Sequence, residues 1–393
     1  MRSGLEVLLD GRMGRLRGAR VGLCCNHTAT DRWLRHAADL LLAAGVDVVR
    51  LFGPEHGVRA TAQMMEGVAE APDPATGIPT VSLYGDSATS LHPDPATLED
   101  LDVVLFDIQD VGTRYYTYAA TLGYLMEVAG TVGTRVVVLD RPNPINGVAV
   151  EGNVRQPGFE SFVGAYPLAV RHGMTLGELA VFFTRFCGAQ CELETVRCDG
   201  WKRNRWYDET DLPWVHPSPN MPTLDTATVY PGMCLLEATN ISEGRGTTRP
   251  FHLFGAPWLD PQRCAVLCAE RAEAAGLRGV AFRPAAFIPS FEKHAGETCG
   301  GAEVHVLNRE RLNPFLLGMV IVEACYRADP ERFAWRSEPY EFVADPPAID
   351  LLTGSSLFRE TLLSGGNVGA LREVWEPELE EFRALRAECL LYG

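Results

Sequence analysis

The sequence predicts an α/β protein whose first 150 residues build a doubly wound, mostly parallel sheet, and three observations predict it. Short apolar runs suited to strands covered on both faces alternate with helical stretches. Turn residues punctuate the alternation, as successive βα units require. From about residue 151 the pattern changes, and residues 151–393 read as a second domain with helices and strands of its own.

Taken in order, Ala19 to Asn26 is the first strand. Asp31 is placed to cap a helix from Trp33 to Ala44, Gly45 ends it, and a second strand starts at Val46 and stops at Gly53-Pro54. An irregular stretch follows, with a short strand expected at Thr80 to Tyr84. Asp102 to Asp107 is the next buried strand, Thr117 to Ala129 a helix, and Arg135 to Asp140 a fourth strong strand that Pro142 and Pro144 terminate. In the second domain, helices are expected at Thr175 to Cys187, Gln262 to Ala275, Pro314 to Arg327, Ile349 to Leu363 and Glu376 to Tyr392. Strand-like runs occupy Cys191 to Arg197, Gly279 to Arg283 and Ala302 to Leu307.

Ligands of such a sheet bind outside the carboxyl ends of its strands. The first strand ends in Asn26-His27, the second in Glu55-His56, the third in Asp107-Ile108-Gln109-Asp110, and the fourth in Asp140-Arg141-Pro142-Asn143. Capping or turn duty accounts for Asp140 and Asn143 taken singly, but four strands that place polar groups at one end make a site. The sharpest of these is Leu51-Phe-Gly-Pro-Glu-His-Gly57, which sets a carboxylate beside an imidazole between two glycines. Glu55 is therefore the first candidate for chemistry. The first strand is followed by Asn26-His-Thr-Ala-Thr30 rather than GxGxxG, and neither a Walker motif nor HExxH occurs, so no nucleotide cofactor or metal is expected.

The 35 Lys and Arg against 51 Asp and Glu give a formal charge of -16, which repels nucleic acid and anionic membrane surfaces. An anionic ligand must then be met by a few local arginines. The N-terminal apolar residues are soon interrupted by Asp10, Arg12 and Arg15, no secretory signal is recognisable, and no apolar run approaches the roughly 18 residues of a membrane helix. Eleven cysteines without any CxxC read as buried thiols in a reducing compartment, and the expected location is cytoplasmic.

Two later stretches stand out. Trp201, Trp206, Tyr207 and Trp214 arrive close together among polar residues, where aromatics either stack on sugar faces or pack a loop against its domain. Asn240-Ile-Ser-Glu-Gly-Arg-Gly-Thr-Thr-Arg249-Pro reads as an ordered loop offering the carboxylate of Glu243 and the guanidiniums of Arg245 and Arg249. Two arginines so spaced suit planar recognition of a carboxylate.

With these residues in view, the chain resembles, from end to end, a bacterial family first catalogued as a domain of unknown function and later linked to exo-acting β-N-acetylmuramidase activity. The matching motifs are Asn26-His-Thr28, Phe52-Gly-Pro-Glu-His-Gly57, Phe106-Asp-Ile-Gln-Asp-Val-Gly-Thr-Arg-Tyr-Tyr-Thr-Tyr118, Leu139-Asp-Arg-Pro-Asn-Pro144, Ser218-Pro-Asn-Met-Pro-Thr223 and Glu243-Gly-Arg-Gly-Thr-Thr-Arg-Pro250. The resemblance implies a Rossmann-like N-terminal domain, a smaller α+β C-terminal domain that closes the substrate cleft, and release of N-acetylmuramic acid from the non-reducing end of peptidoglycan fragments. It also makes Glu55 the catalytic residue. Cys24-Cys25 departs from the small or β-branched residues usual before the Asn-His-Thr motif, with packing the expected consequence.

Glycoside hydrolysis needs an acid at the leaving oxygen and a group that meets the oxocarbenium-like carbon. Glu55, backed by His56, is the expected acid. The second role is open among Asp107, Asp110, Glu243, the substrate's own acetamido oxygen, and a tyrosine among Tyr115, Tyr116 and Tyr118. Arg245 and Arg249, or Arg114, are candidates for the lactyl carboxylate of muramic acid, and Asn26, His27, Arg141, Asn143 and Asn220 complete the candidate binding residues. Two other classes remain open on the residues alone: a non-catalytic muropeptide-binding or sensor protein, and an amidase or esterase using His56 as base.

Overall fold

The computed structural model describes residues 1–11, 13–59 and 71–393. Arg12 and part of the irregular stretch read after Gly57, residues 60–70, lie outside the described residues. The strands are β1 (Arg20–Cys25), β2 (Asp47–Gly53), β3 (Thr80–Ser82), β4 (Val103–Asp107), β5 (Arg135–Leu139), β6 (Glu151–Val154), β7 (Ala169–Arg171), β8 (Leu193–Val196), β9 (Leu253–Ala256), β10 (Val280–Phe287) and β11 (Cys299–Val306).

The chain divides into two compact units. Unit 1 comprises Met1–Ala149, Gly173–Pro222 and Arg383–Gly393, and unit 2 comprises Val150–His172 and Thr223–Phe382. The order of strands in the unit 1 sheet is β3-β2-β1-β4-β5-β8, and every pairing is parallel. Its two central strands explain why the arrangement is stable: every residue of β4 is buried, as is all of β1 after Arg20, which is the signature of strands covered on both faces. Leu23, Leu51, Leu105, Val137 and Val196 meet in one apolar core together with Leu5 and Leu8 of the N-terminal helix Gly4–Leu9. Cys25 belongs to this core, and Cys24 is buried as well.

Three local expectations change. The helix read from Trp33 spans Ala37–Ala43 and is capped by His36. Asp31 instead accepts from the backbone amides of Trp33 and Arg35 in a turn, with Leu34 at φ 62°, which halts helix growth. The stretch Ile349 to Leu363 forms two helices, Ala348–Thr353 and Leu357–Leu363, because Gly354 at φ 69° ends the first. The last helix spans Leu371–Ala387.

Unit 2 pairs the hairpin β6–β7 and a three-stranded antiparallel sheet of order β10-β11-β9. Its helices Leu224–Met233 and Pro314–Ala328 cross at Gly232 and Gly318. A Cβ on Gly232 would stand 1.9 Å from the Pro314 carbonyl, and one on Gly318 2.1 Å from the Gly232 carbonyl, so the crossing admits only glycine. No helix of the described residues is long and apolar enough to cross a membrane.

Candidate active site

Because β1, β2, β4 and β5 run parallel in one sheet, their carboxyl ends lie along one edge, and the four polar clusters read from the sequence follow from it. Asn26, Glu55, His56, Asp107, Asp110, Arg141 and Asn143 are all buried there. Several of them do structural work. Arg141 grips Asp107 with Nε at 2.5 Å and Nη2 at 3.1 Å, and Nη2 also donates to the Thr30 carbonyl. Asp140 accepts from Thr175 Oγ1 and the Gly177 amide at the start of the helix Leu176–Phe186, and from the Tyr392 hydroxyl. Asn143 donates to the Met174 carbonyl and accepts from the Ile145 amide. These groups lock the strand ends.

Glu55 follows β2 in a tight turn closed by the Gly57 amide on the Pro54 carbonyl at 2.8 Å. His56 at φ 72° and Gly57 at φ 79° both occupy the left-handed region, a conformation that a non-glycine residue adopts at a cost and that clusters at functional sites. The Thr117 hydroxyl donates to Glu55 Oε2 at 2.7 Å. Thr117 is the N-cap of the helix Tyr118–Val132 and makes no side-chain cap bond. Its hydroxyl serves Glu55 instead of its own helix.

Asp110 lies beyond β4 in a turn in which its Oδ2 accepts from the Gly112 amide at 2.6 Å. Glycine is required at 112: φ is +81°, and a Cβ would stand 2.4 Å from Asn143 Oδ1. Burial pushes the Asp110 carboxyl up to about 7, against the opposing pull of the Gly112 and Val111 amides. Tyr116 stands in the same motif as Asp110. Burial raises its phenol far above the ordinary value, and the charges of Asp110 and Glu55 add to the rise.

Around them, Asn26 Nδ2 donates to the Tyr118 hydroxyl at 2.9 Å, which donates in turn to the Pro217 carbonyl at 2.6 Å. Tyr116 and Tyr118 meet edge to face with centroids 5.0 Å apart. His27 Nε2 meets the His216 carbonyl, and burial, opposed by that carbonyl, lowers the imidazole to about 4. Ser218 lies near enough to Tyr116 to act on its phenol. The segment from His216 to Asn220 is therefore carried onto the strand ends of the same unit. Arg114 and Tyr115 are buried in the same turn region as Asp110 and Tyr116.

Glu243 and Arg245 belong to unit 2 and are held within it. Arg245 donates to Glu237 Oε1 at 2.8 Å and lies 3.1 Å from Glu243 Oε1, while Lys293 donates to Glu243 Oε2 at 2.9 Å. Burial would raise Glu243, but Lys293 and Arg245 bring it below the usual carboxylate value. Arg249 pairs with Glu303 at 3.3 Å and keeps a half-exposed side chain. The aromatics Trp201, Trp206 and Tyr207 are buried, and Trp214 packs edge to face on Tyr207, so this cluster fastens its loop. Thr117 and Ser218 stand inside the long motifs, whereas nothing in the string marks His216. Among the described residues no group of three or more His, Cys, Asp or Glu is arranged to hold a metal.

Residues 21–225 match the family model described as exo-beta-N-acetylmuramidase NamZ, N-terminal, and residues 228–392 match its C-terminal counterpart. The chain belongs to the NamZ family. The peptidoglycan beta-N-acetylmuramidase NamZ of Bacillus subtilis (strain 168) is 39% identical over 393 residues, 100% of this chain and 91% of that protein. Among solved structures, a DUF1343 family protein of Bacteroides fragilis superposes with a TM-score of 0.88 at 34% identity, covering 100% of this chain and 99% of that one. A second from the same organism gives 0.75 at 27% identity, with the same coverage. The resemblance carried by the motifs, and the α/β architecture with a mostly parallel sheet, are borne out, and the motifs of this NamZ family member can now be assigned places in its fold.

Proposed function

We propose that this chain is a glycosidase, an exo-β-N-acetylmuramidase that releases N-acetylmuramic acid from the non-reducing end of peptidoglycan fragments, with Glu55 and Asp110 as its working carboxyls. One observation carries the assignment of roles: two buried acids, Glu55 and Asp110, follow the ends of β2 and β4 at one edge of the parallel sheet. A pair of carboxyls in different environments is what glycoside hydrolysis uses. Asp110, with its carboxyl near 7, takes the acid role first expected of Glu55: it retains a proton at neutral pH and supplies it to the leaving oxygen. Glu55, accepting the Thr117 hydroxyl, meets the anomeric carbon or the water that attacks it. Asp107 and Glu243 are engaged by Arg141, Lys293 and Arg245, which favours Asp110 as the partner of Glu55.

Arg114 is assigned to the lactyl carboxylate, since it shares a turn region with Asp110 and Tyr116, whereas Arg245 faces two carboxylates of its own unit. Eleven free cysteines support a reducing compartment, and hence soluble fragments as the substrate. The test is incubation with a chromogenic β-N-acetylmuramide and with a natural muramic-acid-terminated fragment. Free N-acetylmuramic acid is the expected product. Binding without turnover, or cleavage of a peptide or ester with the glycosidic bond intact, would overturn the reading.

A further inference from the structure

Unit 2 holds a cavity of about 500 Å³, within the range of small-ligand sites. Its wall includes Asp225, Arg249, His252, His305 and Arg309. His252 is 2% exposed, and its Nδ1 lies 3.2 Å from the Val304 carbonyl. A carbonyl only accepts, so Nδ1 carries the hydrogen and Nε2 presents a lone pair. That Nε2 has no hydrogen-bond partner among the described residues, and a buried acceptor in this state calls for one. Burial, opposed by the Val304 carbonyl and helped by the charge of Arg249, lowers the imidazole below its ordinary value and keeps it neutral.

The cationic part of the wall is prepared for a planar anion. Arg249 uses Nε on Glu303 at 3.3 Å, which leaves its two terminal nitrogens for a ligand. Glu303 is itself anchored by Arg283 and lies 3.4 Å from His305. Asp225, near enough to act on His252, opposes a dianion and favours a monoanion that carries its own N–H. We propose that this cavity binds an α-amino carboxylate, either a free amino acid or the C-terminal residue of a peptide. The carboxylate lies against Arg249 and Arg309, and the N–H on the α-carbon donates to His252 Nε2 once a small turn of the imidazole brings that buried atom to the cavity surface. The site belongs to unit 2 and stands whether or not Glu55 performs the chemistry.

Calorimetric titration of the full chain with alanyl-alanine tests it, against the C-terminal amide, which lacks the carboxylate, and alanyl-lactate, which lacks the N–H. The expected result is saturable binding of alanyl-alanine, with both analogues and the Arg249→Gln variant weaker by about tenfold or more. His252→Phe should erase the preference over alanyl-lactate while keeping the preference over the amide. Free alanine binding as tightly as alanyl-alanine identifies an amino-acid site, and weaker binding identifies a peptide terminus. Equal binding of the amide, unchanged binding to Arg249→Gln, or no binding of alanyl-alanine at about 10 mM overturns the proposal.

Discussion

Asp110 of unit 1 and Glu243 of unit 2 are both buried carboxyls, and their surroundings give them opposite properties. Asp110 is met by backbone amides, which do not offset its desolvation, so its carboxyl rises to about 7. Glu243 is met by Lys293 and Arg245, and its value falls. Burial that outweighs its hydrogen bonds stores a proton; burial between cations stores a charge. The linkage signs differ accordingly. The folded state holds the Asp110 proton more tightly than the unfolded chain, so this group costs stability as pH rises from its ordinary value of 3.8 to about 7. Glu243 contributes stability above its unfolded value and loses it as pH falls through its lower folded value.

Substitutions in the two regions should separate activity from stability. The largest effect is expected for Glu55→Gln, which should lower kcat on a muramide by roughly a hundredfold to ten-thousandfold with an unchanged unfolding midpoint. Steady-state kinetics beside chemical denaturation checks both halves. Next, Arg245→Ala removes the cation that Glu237 and Glu243 share. A loss of about 3–5 kcal/mol in urea unfolding is expected, and a variant as stable as the parent would break the contrast. Arg114→Ala should lower kcat/KM on muramides by about ten- to a hundredfold while barely altering the binding of N-acetylglucosamine analogues; equal loss on both would remove Arg114 from lactyl recognition. Smallest is Thr117→Val, which deletes the hydroxyl on Glu55 and should reduce kcat about tenfold, with KM little changed.

How far these regions could be read from sequence differs for a physical reason. The apolar runs at Val21 and Val103 announce buried parallel strands by themselves, and Gly53-Pro54 marks where β2 must stop. Placing Glu55 and Asp110 at one sheet edge then follows from the alternation of strands and helices. What the pattern lacked was non-local. The run at Leu193 was legible as a strand, but nothing in it tells that it pairs with β5 and returns residues 173–222 to unit 1. Nor does the string Ser218-Pro-Asn reveal that Tyr118 fastens its neighbour Pro217. Charge partners are equally invisible: Lys293 lies 50 residues after Glu243, so one loop could read as a binding loop although its carboxylate and Arg245 are paired within the fold.

The pH dependence of kcat/KM for the parent and Asp110→Asn tests the central claim most directly. On a natural muramic-acid-terminated fragment the parent should hold a plateau and decline as pH rises through about 7, the value near which Asp110 loses its proton. Asp110→Asn should be nearly inactive on that fragment. It should recover on an aryl muramide, whose leaving group needs little protonation, with no decline near 7. An Asp110→Asn variant that keeps both the fragment activity and the decline near 7 would contradict the account.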